Sequence, residues 1–200
     1  MKDFEGEIAV RLAREVVEAE AKGKETGHVD VPGSFQEKRG VFVTLHTYPA
    51  NRLRGCIGFP EPIFSLASAL VQAAQHACHD PRFPDLGEDE LERIIVEVSI
   101  LTPPKAVEVL DPRELPKVVQ IGVDGLIVER GPCRGLLLPQ VALEWNWDAE
   151  EFLGQTCVKA GMSPDMWMDE RTRFYTFQAE VFSEDTPGGK VSRKEMGGCR

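Results

Sequence analysis

The stretch Leu53-Arg54-Gly55-Cys56-Ile57-Gly58 places one thiol, one permanent cation and two glycines within six residues. The two glycines lack a Cβ, so other groups can approach the backbone closely there. Before this stretch, Arg39–Thr47 alternates apolar and polar residues, as a half-buried strand does. We therefore predict two strands joined by a turn at Tyr48-Pro49-Ala50-Asn51, with Cys56 at the rim of a sheet.

The remaining chain predicts helices and strands that alternate along the sequence. Apolar residues recur every four positions from Phe4 to Val16, which predicts an amphipathic helix of about five turns. Ile63–Cys78 has no Gly or Pro and predicts a second helix. Asp148, three residues before Glu151, predicts the cap of a helix that ends near Ala160. Further strands are predicted at Ile94–Leu101, Ala106–Leu110, Ile121–Val128 with a hairpin turn at Asp124-Gly125, Leu136–Leu138 and Phe174–Phe182.

These elements predict an α+β fold with a mixed, largely antiparallel sheet flanked by helices. A chain of 200 residues is within the usual range of one domain, which we assign to residues 1–185. Residues 186–200 are rich in glycine and charge and have no apolar pattern, so we expect a disordered basic tail.

Composition narrows the class of protein. No apolar run approaches the ~20 residues of a membrane span, and Met1–Glu5 does not resemble a signal peptide. The five cysteines are an odd number without a Cys-x-x-Cys pair, which favours reduced thiols and a cytoplasmic protein. The net charge of −10 repels a phosphate backbone, and the arginines are scattered, so nucleic acid is an unfavourable partner.

Residues 54–58, Arg-Gly-Cys-Ile-Gly, resemble the signature of the AMMECR domain family. The resemblance runs from residue 5 to residue 182 and includes three further stretches in the same order: Asp80-Pro81-Arg82-Phe83-Pro84, Glu97–Pro103 and Gly135–Ala142. It implies an α+β fold with two unequal lobes that share a cleft. The family has no settled biochemical activity to carry over. Its bacterial and archaeal members often occur beside Memo-type and radical-SAM proteins, which implies a shared modification pathway.

Cys56 is the leading candidate for chemistry. A thiol attacks as its thiolate, and a nearby Arg54 or Arg82 would stabilise that anion and lower its pKa. The alternative is a small packing residue, since free cysteines are often buried.

A cysteine nucleophile usually works with a base, commonly a histidine. Among His28, His46, His76 and His79 we prefer His79, because Asp80 follows it and the family's Asp-Pro-Arg-Phe-Pro loop begins there. The family motif does not require a histidine at this position. A solvated surface histidine is the alternative interpretation.

Glu97 and Ser99 share one face of their strand by two-residue alternation. A carboxylate facing inward needs a partner, and Arg54 or Arg82 would supply it. One interpretation is a structural Glu–Arg pair that holds the glycine turn, and the other is a substrate anion clamped by both arginines. No metal is predicted, because His76, Cys78 and His79 do not match a zinc spacing.

Two functions follow. The first is a small-molecule enzyme or ligand binder without a cofactor, in which Cys56, Glu97 and His79 act on a substrate bound by Arg54, Gly55, Gly58, Asp80, Arg82 and Ser99. The second is a non-catalytic adaptor that binds a protein partner, for which the aromatic region around Trp145, Trp147 and Trp167 offers a surface. Substrate, reaction and oligomeric state are left open by the sequence.

Overall fold

The computed structural model describes residues 1–27 and 30–194, and the chain divides into two compact units. The first unit contains Met1–Leu101 and the segment that starts at Glu180, and the second contains Thr102–Ala179. The second unit is therefore inserted into the sequence of the first. The expectations for His28 and for residues 195–200 lie outside the described residues.

The helices and strands alternate along the chain as an α+β fold requires. The α-helices are α1 (Asp3–Ala21), α2 (Leu66–Cys78), α3 (Leu115–Val118), α4 (Pro139–Glu144) and α5 (Ala149–Lys159). Short 3-10 helices occupy Gly33–Gln36, Glu88–Arg93, Pro112–Glu114 and Pro164–Met168. The strands are β1 (Val41–Thr47), β2 (Leu53–Phe59), β3 (Ile94–Leu101), β4 (Lys105–Ala106), β5 (Gly125–Arg130), β6 (Cys133–Leu137), β7 (Arg173–Phe177), β8 (Ala179–Glu184) and β9 (Val191–Lys194).

The first unit is built on a five-stranded sheet in the order β2-β1-β3-β8-β9. Strand β1 pairs antiparallel with both β2 and β3. Val41, Val43 and Leu45 of β1 are completely buried in one core with apolar residues of α1 and α2. The alternate side chains, beginning with Phe42 and Thr44, belong to the other face of the sheet, as the alternation predicts.

A buried ion pair joins α1 to the C-terminal strand β8. The Arg14 guanidinium and the Glu184 carboxylate are in contact, and both side chains are almost completely buried. Arg14 also donates to the carbonyl of Ile94 at 2.9 Å, and the backbone nitrogen of Val96 donates to Glu184 at 2.9 Å. Because their hydrogen-bonding groups find partners, the two charges can be buried together.

The second unit is built on a four-stranded sheet in the order β4-β7-β5-β6. The pairs β5/β6, β5/β7 and β4/β7 are antiparallel. Its core contains apolar side chains of β5, α5 and β7: Leu126, Val128, Phe152, Leu153 and Phe174.

The predicted hairpin turn at Asp124-Gly125 is wrong. Asp124 instead closes a turn before β5: its backbone nitrogen donates to the Gln120 carbonyl at 2.9 Å, and its carboxylate accepts from the Gln120 nitrogen at 3.0 Å. The hairpin lies one strand later, between β5 and β6, where Gly131 takes a positive φ of 57°.

The predicted strand Phe174–Phe182 is two strands in different sheets. Gln178 separates β7 from β8, because its nitrogen donates to Thr102 Oγ1 at 2.8 Å and its carbonyl accepts from the Thr102 nitrogen at 2.8 Å. Both halves carry strand-forming residues, so the alternation alone did not reveal the break.

The predicted disorder of residues 186–200 is wrong for its first part. Val191–Lys194 forms β9, paired antiparallel with β8. Arg193 donates to Asp3 at 2.8 Å and to Glu180 at 3.0 Å, so ion pairs hold a segment that has little apolar surface. A segment with a polar composition is therefore ordered here, because its backbone pairs with β8.

Candidate functional site

Cys56 lies on β2, the edge strand of the first sheet. The register places Cys56 opposite Thr44, and Thr44 opposite Glu97, so the three residues form one row across β2, β1 and β3. Thr44 Oγ1 donates a hydrogen bond to the Cys56 sulfur at 3.3 Å. Cys56 is partly exposed, a free thiol on the face of the sheet opposite Val43 and Val98. The row places a thiol, a hydroxyl and a carboxylate side by side.

The loop after α2 closes the open edge of β2 at Cys56. Asp80 Oδ2 accepts from the Cys56 backbone nitrogen at 2.9 Å, and Arg82 Nη2 donates to the Cys56 carbonyl at 3.3 Å. Asp80 and Arg82 also bind each other through two parallel hydrogen bonds, from Arg82 Nε at 2.9 Å and from Nη2 at 2.6 Å. The loop therefore satisfies backbone groups of an edge residue that would otherwise need water.

Asp80 is held as an anion in a buried position. It is 1% exposed. Its hydrogen bonds from the Arg82 guanidinium, and then those from the backbone nitrogens of Cys56 and Arg82, hold the pKa of the carboxyl well below its usual range, against the effect of burial. Asp80 is therefore a structural acceptor that fixes the Cys56 backbone.

The two glycines of the signature are required by close contacts. A Cβ on Gly55 would lie 2.3 Å from the Ala77 carbonyl oxygen near the end of α2. A Cβ on Gly58 would lie 2.5 Å from Phe42 Cδ1 and 2.3 Å from the Val41 carbonyl oxygen. Gly55 thus lets α2 approach β2, and Gly58 leaves room for the Phe42 ring on the face that carries Cys56.

Arg54 pairs with a carboxylate that the sequence analysis did not identify. Its Nε and Nη2 each donate to Glu90 at 2.8 Å. A register shift between Leu45 and His46 interrupts the strict alternation of β2 next to Arg54. Within residues 1–27 and 30–194, its buried Nη1 has no hydrogen-bond partner. Arg54 therefore acts as an anchor for the Glu88–Arg93 helix, and the expected pairing with Glu97 is not found.

His79 binds two carboxylates. Its Nδ1 lies 2.9 Å from Asp85 Oδ1, and its Nε2 lies 3.0 Å from Glu20 Oε1 of α1. These contacts, with Asp85 first, raise the pKa of the imidazole above its usual range. Because both ring nitrogens are engaged, the predicted Cys56–His79 pair is not assembled in this structure. His79 joins the loop after α2 to α1.

Glu97 has a different histidine as its neighbour. Its Oε1 lies 3.8 Å from His46 Nε2, and both side chains are about one-fifth to one-quarter exposed. His46 follows Thr44 by two positions on β1 and shares its face. Its Nδ1 is buried and unpartnered within residues 1–27 and 30–194. The site face thus contains a Cys–Thr–Glu row with a histidine beside the carboxylate.

The sequence analysis missed two site residues, Thr44 and Glu90, and passed over His46 in favour of His79. The alternation of β1 had placed Thr44 and His46 on the wetter face, and the unknown register hid their proximity to Cys56 and Glu97. Ser99 lies two positions beyond Glu97, in the next row, opposite Phe42. Nothing local marks Glu90 as the partner of Arg54.

The described part of the chain offers neither a membrane-spanning helix nor a metal centre. None of its helices is long and apolar enough to cross a bilayer. Across residues 1–27 and 30–194, no three His, Cys, Asp or Glu side chains are grouped so that they could hold a metal ion. Asp80 and Glu90 are each paired with an arginine.

The fold and the site define an α+β protein with a free thiol on a sheet edge that is closed by an Asp-Pro-Arg loop. The AMMECR1 family model matches residues 10–182, so the chain belongs to the AMMECR1 family. The family resemblance of the sequence is confirmed.

Archaeal relatives extend over the whole chain. Protein MJ0810 of Methanocaldococcus jannaschii is 51% identical over 193 residues, which cover 96% of each chain. Protein PYRAB00100 of Pyrococcus abyssi is 52% identical over 202 residues, which cover 98% of each. The crystal structure of the uncharacterized protein PH0010 from Pyrococcus horikoshii matches 97% of this chain and 98% of its own, with a TM-score of 0.79 and 50% identity. These likenesses establish family and fold and assign no reaction.

Proposed function

We propose that the protein binds a small anionic molecule at the face of the first sheet that carries Cys56, as a ligand binder or an enzyme, with the thiol as contact or nucleophile. The observation that supports this most strongly is the Cys56–Thr44–Glu97 row. The thiolate is the reactive form of a cysteine, and Thr44 Oγ1 gives the Cys56 sulfur a hydrogen-bond donor. Glu97 lies two strands from Cys56, on β3, and His46 lies beside it on β1, so both can take part in proton transfer with a bound ligand.

Arg82 gives the site its preference for anions. Its side chain is 55% exposed, although Asp80 engages its Nε and Nη2. Within the described residues no hydrogen bond from Arg82 Nη1 is found, so that nitrogen remains a donor for a ligand. Arg54 does not share this role, because its Nε and Nη2 bind Glu90. The substrate anion expected to bind both arginines is therefore assigned to Arg82 alone.

Cytoplasmic location is part of the proposal. Cys56, Cys78, Cys133 and Cys157 are all free thiols, as a reducing compartment favours. Joint action with Memo-type and radical-SAM proteins rests on the family alone.

The test compares two alkylating agents that differ in charge. Iodoacetate and iodoacetamide are reacted separately with the intact protein, and the modification of each cysteine is followed by mass spectrometry. We expect Cys56 to react in the folded protein and to show a higher iodoacetate-to-iodoacetamide ratio than Cys133. Arg82→Gln lowers the ratio at Cys56 severalfold, since one neighbouring charge is lost, and leaves Cys133 unchanged.

Cys78 and Cys157 are the internal references for burial. Both are buried, and this burial raises the pKa of Cys78 to about 12 and that of Cys157 to about 11. They should react only on unfolding. If Cys56 behaves as they do, it is a packing residue, and covalent chemistry at this face is excluded.

A non-catalytic adaptor is the second candidate function. The observation that favours it is the exposed Trp145 indole in the second unit. It is independent of Cys56.

A further inference from the structure

Trp145 exposes most of a large apolar side chain to solvent. It is 68% exposed, although a buried tryptophan is worth several kcal/mol to a core. Its ring stacks on that of Trp147, with centroids 6.0 Å apart and planes inclined by 16°. Trp147 therefore covers one face of the Trp145 ring, and the rest of the Trp145 ring is open to a binding partner.

The backbone holds this pair in place. At the end of α4, Asn146 takes a positive φ of 53°. The Trp147 nitrogen donates to the Ala142 carbonyl at 2.8 Å, and the Asn146 nitrogen donates to Leu143 at 3.2 Å. These two bonds form a Schellman motif, which sets the direction of the chain after a helix. Trp147 packs against the core of the second unit, so Trp145 is presented on a rigid support.

The charged residues next to the pair in sequence are all acidic. Residues 139–158 contain four acidic residues and no lysine or arginine. Glu144, Asp148 and Glu150 are exposed, and within residues 1–27 and 30–194 none of the three belongs to an ion pair. We call Trp145 and Trp147 together with these three carboxylates the Trp145 surface.

We propose that the Trp145 surface binds an arginine-bearing segment of a protein partner. The face of an indole attracts cations through its quadrupole. A guanidinium is planar, stacks on aromatic rings and pairs with carboxylates through two parallel hydrogen bonds. An ammonium is a compact, strongly hydrated point charge that has neither the planar stacking nor the paired hydrogen bonds. The acidic surroundings disfavour nucleic acids and anionic lipids. This inference deepens the adaptor function and does not depend on the Cys56 site.

The test uses the full-length protein labelled with 15N. Three short peptides are titrated into it, in which glycine alternates with arginine, with lysine or with glutamate, and the indole N–H signals are followed by NMR. Trp145→Ala assigns the Trp145 signal. We expect a saturable shift of this signal with the arginine peptide, a severalfold weaker affinity for the lysine peptide and no shift with the glutamate peptide.

Variants separate the indole from the charges. Trp145→Ala should lower the affinity for the arginine peptide by roughly fivefold or more. Trp145→Phe should retain part of that affinity. The double variant Glu144→Gln, Glu150→Gln should weaken binding and reduce its dependence on salt. Leu110→Ala changes a fully exposed apolar residue of the same unit and should have no effect.

Three results would overturn the proposal: no shift of the Trp145 signal at millimolar arginine peptide, equal affinity for the glutamate peptide, or unchanged affinity in a folded Trp145→Ala protein. Equal affinity for the lysine peptide would overturn the preference for arginine. None of these outcomes affects the alkylation ratio at Cys56, so the two proposed functions fail separately.

Discussion

The carboxylate of Asp80 accepts a hydrogen bond from the backbone nitrogen of Cys56, and this bond of 2.9 Å joins the loop after α2 to the edge of the sheet. Asp80→Asn replaces one acceptor oxygen by a donor and should destabilise the protein by about 2–4 kcal/mol, because hydrogen bonds to a buried charge are lost. Chemical denaturation measures this.

The chain contains a matched control for that variant. Asp111-Pro112-Arg113 repeats the Asp-Pro-Arg sequence, and Asp111 accepts from the Arg113 nitrogen at 2.9 Å in an exposed turn. Asp111→Asn should leave stability unchanged within error. Equal effects of the two substitutions would show that the contact with Cys56 contributes nothing.

The contribution of Asp80 should depend on pH in one direction. The pKa of its carboxyl is lowered in the folded state, first by Arg82. A lowered folded pKa stabilises the protein above the unfolded pKa of about 3.9, and the gain is lost as pH falls below that value. The difference in the free energy of unfolding between wild type and Asp80→Asn should therefore be constant from about pH 5 to about pH 7 and shrink below about pH 4. Urea titrations at several pH values measure it, and a difference that grows in acid would contradict the assignment.

Gly55→Ala should destabilise the first unit, because the new Cβ would lie 2.3 Å from the Ala77 carbonyl oxygen. Backbone must move to admit it, which costs about 3 kcal/mol in overpacked sites. Thermal unfolding reports the loss. Gly33→Ala is the control, since a Cβ there meets nothing within 4 Å. A Gly55→Ala protein as stable as Gly33→Ala would mean that α2 and β2 are less closely packed than the structure shows.

His79 should titrate above its usual range, because Asp85 and Glu20 favour the imidazolium. A raised folded pKa gives stability that is complete below the unfolded pKa of about 6.5 and is lost as pH rises through the folded value. An NMR titration of His79 should show Asp85→Asn moving the pKa back towards 6.5, with Glu20→Gln acting in the same direction. A wild-type value at or below 6.5 would contradict both contacts.

Local signals predicted the periodic elements and one helix cap. The capping pair at Asp148 and Glu151 is confirmed, with the Glu151 nitrogen 2.9 Å from the Asp148 carboxylate, because both partners lie within one turn. The second helix was predicted three residues too early, and its start is set by Ser65, whose hydroxyl accepts from the Ser68 nitrogen. Serine is common in sequences, so a single serine does not identify the start of a helix. It sets the boundary only once the helix itself has been recognised.

The contacts of the site depend on register and on distant partners. Arg54 and Glu90 are separated by 36 positions, so nothing near either residue selects the other. Cys56 and Glu97 were both identified, yet their common row follows from the pairing of β1 with two neighbours, and a slip of one residue would have put them on opposite faces. Composition likewise predicted disorder where β9 is held by hydrogen bonds and ion pairs.

The inserted order of the two units has a consequence for synthesis on the ribosome. Residues 102–179 are contiguous, so the second unit can fold as soon as its own segment has emerged. The first unit lacks Glu184, the buried counter-charge of Arg14, until the last strands have been made. Until then, α1 carries an unpaired arginine and lacks the Phe182 ring that packs against Gly6. The segment synthesised first is among the last to reach its final packing.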